Sequence, residues 1–115
     1  MGETIFSKII RKEIPADIVF ENDKVLAFKD INPQAPVHVL IIPKIAIPSV
    51  RELNGKEHGE LLGKLIDAAN SIAKDMKIST GGFRLVFNCG ADAGQEVYHL
   101  HIHLLGGRKL NWPPG

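Results

Sequence analysis

Tyr98-His99-Leu100-His101-Ile102-His103-Leu104-Leu105 decides the reading of this 115-residue chain. In a β-strand successive side chains point to opposite faces, so His99, His101 and His103 share one side while Tyr98, Leu100, Ile102 and Leu104 share the other. The alternation over Tyr98 to Leu105 predicts a strand whose apolar face is core. Just upstream, Phe83-Arg84-Leu85-Val86-Phe87-Asn88 alternates in the same way, with Phe83, Leu85 and Phe87 on one face, and predicts a half-buried strand. Between the two, Cys89 to Gln95 holds Gly90 and Gly94 among small residues, a loop whose backbone can approach something closely.

Further out, Lys56 to Met76 carries Leu61, Leu62, Leu65, Ile66, Ala69, Ile72, Ala73 and Met76 at the three-and-four spacing of an amphipathic helix. Asn54 with Glu57 three residues on resembles a capping box, and Gly81-Gly82 closes the turn after the helix. His58 lies outside the apolar stripe and reads as a solvated surface residue. In the N-terminal half, the continuous run Val37-His38-Val39-Leu40-Ile41-Ile42 predicts a buried central strand, ended by Pro43. Before it come the proline-punctuated loop Asp30 to Pro36 and two strand-like runs, 17–21 and 25–29, joined through Asn22-Asp23 as a hairpin. Thr4 can cap a short helix over Ile5 to Ile10 that reads as a lid or flank rather than as a core helix. These elements predict an α+β fold, a mostly antiparallel β-sheet with one long helix packed on it, in a single domain spanning 1–115.

Composition narrows the partners. With 14 basic and 13 acidic side chains the formal net charge is +1, which offers no footprint for nucleic acid and no polybasic membrane patch. The longest apolar run, Val37 to Ile42, falls far short of the roughly 20 residues of a membrane-spanning helix. Met1-Gly2-Glu3-Thr4 does not open a secretory signal. Cys89 is the only cysteine, so there is no intramolecular disulfide framework, which fits a reducing, cytoplasmic compartment.

Three imidazoles on one strand face are a costly surface unless they do chemistry. One functional reading is metal binding, since imidazole is a common zinc ligand. Against it, His99 and His103 lie about 13 Å apart on an extended strand, too far to share one ion, so a metal would need His38 or Asp30 as a further ligand. The other reading is nucleophilic catalysis by an imidazole.

The residues around the histidines add a family resemblance to these two readings. Ile5-Phe6-Ser7-Lys8-Ile9-Ile10, Phe28-Lys29-Asp30-Ile31-Asn32-Pro33-Gln34-Ala35-Pro36-Val37-His38, Ile42-Pro43-Lys44, Asn88, Gly94-Gln95, the run His99-Leu100-His101-Ile102-His103-Leu104-Leu105-Gly106-Gly107-Arg108 and the ending Trp112-Pro113-Pro114-Gly115 stand in order. With them the chain resembles, over nearly its whole length, the Hint branch of the histidine-triad (HIT) nucleotide-binding proteins.

The resemblance implies an enzyme that hydrolyses adenosine 5′-phosphoramidates or acyl-adenylates at the α-phosphorus to AMP, with no metal and no cofactor. His101 is the implied nucleophile, forming a nucleotidyl-histidine, with its Nδ1–H held by the backbone carbonyl of His99. His103 is implied to donate to a phosphate oxygen, and His99 and His38 to form the supporting hydrogen-bond shell. Asp30 would otherwise be an ordinary turn aspartate; here it is implied to accept both ribose hydroxyls, as a carboxylate does in dinucleotide-binding folds. Ile5, Phe6, Ile9, Phe28 and Ile31 are the implied walls of a purine pocket, and Asn88, Gly94 and Gln95 are implied to bring an amide and backbone N–H groups to the phosphate.

The resemblance also implies a homodimer, with the long helix and an edge strand in contact and Trp112 carried towards the partner's site. Glu96 stands where animal members carry a serine that touches the phosphate or leaving group, and Ile45-Ala46 where a basic residue and a histidine are common. A nucleotide-binding module that serves mainly to contact other proteins, with residual hydrolysis, is the alternative from another class. A dinucleoside polyphosphate hydrolase would end differently from Trp112-Pro113-Pro114-Gly115, and a nucleotidylyltransferase would be much longer.

Overall fold

Thr4 starts the first helix by satisfying two of its free donors. In the computed structural model, which describes residues 3–115, Thr4 Oγ1 accepts from the N–H groups of Phe6 and Ser7, and Ser7 Oγ accepts from the Thr4 N–H in return. This helix, α1 (Ile5–Ile10), buries Phe6 and Ile9. The expectation of a lid or flank is therefore corrected: the two side chains join Leu26, Phe28, Leu40 and Ile42 in a core of their own on one face of the sheet. The short stretch holds because its two inward residues are large and the sheet offers them a complementary apolar face.

The sheet comprises β1 (Ile18–Glu21), β2 (Val25–Lys29), β3 (Val37–Pro43), β4 (Phe83–Val86) and β5 (Ile102–Gly106) in the order β1-β2-β3-β5-β4. Every pairing is antiparallel. Asn22 Oδ1 accepts from the N–H groups of Lys24 and Val25 and so closes the β1–β2 hairpin. β3, read as a central strand from its unbroken apolar run, does lie in the middle, between β2 and β5.

The second helix, α2 (Gly55–Asp75), packs on the other face through Leu65, Ala68, Ala69, Ile72 and Ala73. Ile66, counted in the apolar stripe, is exposed, and Ala68, left out of it, is buried. The contact line against β3 runs along the small residues and leaves Ile66 on its flank. Asn54 Oδ1 caps the helix by accepting the Glu57 N–H at 2.8 Å. The return bond of the box comes from another residue: the Asn54 N–H donates to Nδ1 of His58 at 3.1 Å, so His58 is a cap rather than an idle surface residue. Among the described residues no helix is long and apolar enough to cross a membrane.

The strand expected over Tyr98 to Leu105 is shorter than its pattern. It begins at Ile102 because β3 pairs with β5 from Val37 opposite Gly106 to Ile41 opposite Ile102. Two steps further that register would set Leu100 opposite Pro43, which has no N–H to give. Leu100 instead donates its N–H to the carbonyl of Ile47 at 2.6 Å. The alternation of faces survives the loss of pairing: Leu100, Ile102 and Leu104 enter the α2-side core, while His101 stays on the α1 side against Phe6. Tyr98, placed on the core face by the pattern, is 46% exposed, since it lies beyond the point where the chain follows the sheet.

Candidate active site

Backbone groups fix which nitrogen of each imidazole carries its proton. Nδ1–H of His101 donates to the carbonyl of His99 at 2.7 Å, which leaves Nε2 of His101 with a free lone pair. His99 in turn donates Nε2–H to the carbonyl of Pro43 at 2.9 Å. The backbone N–H of Gln34 donates to Nδ1 of His38 at 3.0 Å, so His38 carries its proton on Nε2. That Nε2 lies 2.9 Å from Nδ1 of His103 and 3.4 Å from Oδ2 of Asp30. With Nδ1 occupied as an acceptor, His103 presents Nε2–H as a donor.

The rings stand close together: 5.1 Å between the centroids of His101 and His103 and 5.2 Å between those of His38 and His103. Burial disfavours the charged form of an imidazole. Burial of His103 holds it down to about 4, with the neighbouring His101 and His38 adding to the effect and Asp30 opposing it. His38 is lowered by burial against the pull of Asp30, and His99 by burial against its bond to Pro43. His99 Nδ1 is buried with no partner among the described residues. Its ring shares a small cleft with Ala46, where the family resemblance leads one to expect a histidine.

Beside the histidines opens a cleft of about 530 Å3. Ile5, Phe6, Ile9, Phe28 and Ile31 line it, as the sequence suggested, although Ile5 is more than half exposed and Ile31 stands fully in solvent at the mouth. Asp30, His38, His103 and Glu96 supply its polar side. Asp30 Oδ1 accepts the Asn32 N–H at 2.8 Å, which orients the carboxylate.

The loop after β4 is tied by its own hydrogen bonds. Gln95 is buried, its Oε1 accepting from the Gly90 N–H and its Nε2 donating to the carbonyls of Pro48 and Val97. Both its amide protons are used, and its backbone N–H donates to the Gly90 carbonyl at 3.1 Å, so Gln95 shapes the loop. Gly94 takes a left-handed conformation at φ 80°, closing the 3-10 turn Ala91–Ala93. Neither Gly94 nor Asn88 lines the cleft. The structure adds Gln34, Leu40 and Val97, which also line it. Gln34 contributes a backbone N–H, and no side-chain pattern could have marked it.

The donor atoms of Asp30, His38 and His103 lie within 4.8 Å of one another, close enough to hold a metal ion. The direction of the Gln34 bond argues against it. A histidine that binds metal through Nε2 carries its proton on Nδ1 and gives it to an acceptor, whereas here Nδ1 faces a donor.

The sequence model of the HIT domain matches residues 11–110. The chain belongs to the HIT family. A purine nucleoside phosphoramidase of Escherichia coli is 56% identical over 94% of this chain and 90% of its own length. A 14 kDa zinc-binding protein of Zea mays is 53% identical, over 97% of this chain and 88% of the maize protein. Among solved structures, a HIT family hydrolase from Legionella pneumophila superposes with a TM-score of 0.95 at 50% identity, covering 98% of this chain and all of that one. The antiparallel sheet with one long helix is thus the fold of the HIT family, and the histidine run that decides the sequence reading lies inside the matched stretch.

Proposed function

We propose that this protein is a purine nucleotide phosphoramidate hydrolase that cleaves adenosine 5′-phosphoramidates and acyl-adenylates at the α-phosphorus through a nucleotidyl-His101 intermediate. The observation that carries the reading is the bond from Nδ1–H of His101 to the His99 carbonyl, which frees Nε2 beside a nucleotide-sized cleft. The name of the E. coli relative supports the substrate class.

In this reading the purine lies between α1 and β2, against Phe6, Ile9 and Phe28, with Ile5 and Ile31 at the rim. Asp30 accepts the ribose hydroxyls. Nε2 of His101 attacks phosphorus and the bond to the leaving group breaks with its electron pair on that group: P–N in a phosphoramidate, whose nitrogen takes up a proton from solvent and departs as the amine, or P–O in an acyl-adenylate, which releases the carboxylate. Water then attacks the phosphorus, its hydroxyl completes AMP, its proton is released and His101 is restored. His103 gives Nε2–H to a phosphoryl oxygen, a preorganised donor worth about 2 to 4 kcal/mol in such sites. His38 keeps His103 in that tautomer. Glu96 faces the leaving group, and Asn88 and Gly94 act from the neighbouring loop.

We also propose a single HIT domain over 1–115, acting in the cytoplasm as a homodimer. The half-buried edge strand β4, exposed Ile66 on α2 and exposed Trp112 support a contact there. The test is AMP release from adenosine 5′-phosphoramidate after exhaustive chelation, alongside His101→Ala. Turnover that survives chelation and vanishes in the variant supports metal-free histidine catalysis. No turnover by the wild-type protein overturns the reading for this substrate, and activity lost on chelation and restored by zinc makes the histidine face a metal site.

A further inference from the structure

We propose that Arg108 is a positioning residue, which holds the loop that fixes His38 and, through His38, the donor proton of His103. The proposal rests on the catalytic role given to those histidines above. Nη2 of Arg108 donates to the carbonyl of Gln34 at 2.9 Å, and Nη1 to the carbonyl of Lys109 at 3.0 Å. Gln34 is the residue whose N–H reaches Nδ1 of His38 at 3.0 Å, and His38 Nε2 lies 2.9 Å from Nδ1 of His103. Contacts of 3.0 Å or less therefore run from an exposed guanidinium to the imidazole beside the reacting centre.

The remaining ties of this loop are internal. Gln34 Nε2 donates to the Asn32 carbonyl, Asn32 N–H to Oδ1 of Asp30, and Asp30 N–H to the His38 carbonyl. Residues 30–38 thus form one hydrogen-bonded unit carrying both Asp30 and His38. Among the described residues, the side chains from outside the unit that are hydrogen-bonded to it are His103, which meets His38 inside the site, and Arg108, which holds the unit from the outside. The chain is built to bring it there. Gly107 has φ 92°, and a Cβ at that position would come within 2.9 Å of Pro36 Cβ, so only glycine lets β5 turn back against the loop and set Arg108 over Gln34.

Both Nη groups of Arg108 serve carbonyls, and a planar fork that spans two acceptors is something lysine does not reproduce. Releasing the Gln34 carbonyl loosens the residue on both sides of its Cα and so weakens the N–H bond that keeps a proton off Nδ1 of His38. The ring then protonates more readily. The other groups facing His38 are Asp30 from the loop after β2 and His103 from β5, with His101 behind it, while Lys29 and Glu96 line the same cleft. An Arg108 variant leaves all of them in place.

The experiment reads His38 by long-range 1H–15N correlation across pH in the wild-type protein, Arg108→Ala, Arg108→Lys and Lys109→Ala, with kcat/KM for adenosine 5′-phosphoramidate measured in parallel. Expected are the Nε2–H tautomer in the wild-type protein and, in Arg108→Ala, a His38 pKa higher by about half to one unit, the span of one net hydrogen bond. The acid limb of kcat/KM should move the same way, with Arg108→Lys between the two and Lys109→Ala unchanged. A wild-type tautomer and pKa for His38 in Arg108→Ala overturns the proposal, as does a pH-independent loss of activity accompanied by a lower Tm. Absence of turnover in the wild-type protein would sink the phosphoramidase reading, while the NMR arm would still decide whether Arg108 positions His38.

Discussion

The ring of Phe6 meets that of His101 edge-on, with centroids 5.2 Å apart and planes at 90°. The same ring touches Phe28 and His99, so one side chain of α1 braces the candidate nucleophile, the base pocket and the residue whose carbonyl orients the nucleophile. Phe6→Ala should cost about 3 to 4 kcal/mol of stability, as for other large buried aromatics. Phe6→Leu keeps most of the volume but loses the edge contact. We expect the leucine variant to lower kcat about tenfold, in line with the sensitivity of reacting geometry to small displacements. Denaturant unfolding and steady-state kinetics on the two variants separate these effects; equal kcat in Phe6→Leu and wild type would show that the brace is purely structural.

Stability should fall on mild acidification because of the buried histidines. His103 titrates at about 4 in the folded chain, against the ordinary 6.5, and His38 and His99 are lowered as well, each mainly by burial. Below 6.5 the unfolded chain binds protons that the folded chain refuses, so the contribution of these rings is complete above 6.5 and drains away as pH falls towards 4. Tm should therefore decline across that window, and His103→Asn should flatten the decline. The exposed carboxylates Glu3 and Glu13, lowered by Arg11, act below 4.5 and overlap only the acid end of the window. An unchanged slope in His103→Asn would assign the loss to other groups.

Asp30 offers the cleft a carboxylate whose Oδ1 is tied by the Asn32 N–H and whose Oδ2 lies 3.4 Å from His38. Hydrogen bonds to a charged partner are worth more than neutral ones, about 1.5 to 3 kcal/mol. Asp30→Asn should therefore raise KM for the adenosine substrate by roughly ten- to a hundredfold. It should also erase most of the preference over the 2′-deoxy analogue. Equal discrimination by wild type and variant would place the ribose elsewhere.

The fold was legible wherever burial leaves a periodic trace. The alternation in 99–104 matches the two faces, failing only at Tyr98, and the run 37–42 marks the central strand. It failed where a contact rather than a pattern decides: Pro43 lacks the N–H that would extend β5 to Leu100, and this depends on register between distant segments. α1 looked like a lid because six residues cannot signal what they pack against, yet Phe6 and Ile9 are buried. In the site, three histidines on one strand face stand out by side-chain chemistry, whereas Asp30 is singled out only by the family resemblance, since an aspartate in such a loop is ordinarily a turn residue. Gln34 could not be named, since it acts through its backbone, and for Gln95 the sequence does not reveal that its side-chain amide is held by Gly90, Pro48 and Val97.

The C-terminal tail is held to the edge of the sheet by Arg84, whose Nη2 donates to the carbonyl of Asn111 at 2.9 Å, while Trp112 remains 81% exposed. An exposed indole contributes little to the stability of its own chain and is suited to an interface. Deleting residues 111–115 should therefore change the relative rates for different amine leaving groups more than it changes the midpoint of denaturant unfolding. Identical relative rates across several amines would remove the tail from the site.

Glu96 lines the cleft with His103 and, among the described residues, forms no hydrogen bond or ion pair. A free carboxylate there repels an anion and attracts a cation, so it should favour leaving amines that carry a second, positively charged group. The site is open to solvent, which limits the effect to that of an exposed ion pair, about two- to fivefold in rate. The clean measurement is a cycle: kcat/KM for a cationic and a neutral phosphoramidate of matched amine basicity, each with wild type, Glu96→Gln and Glu96→Lys. The cationic-to-neutral ratio should fall in the glutamine variant, invert in the lysine variant and lose its contrast at high salt, where exposed charges are screened. A ratio that stays constant across all three proteins would mean that the carboxylate points away from the departing group.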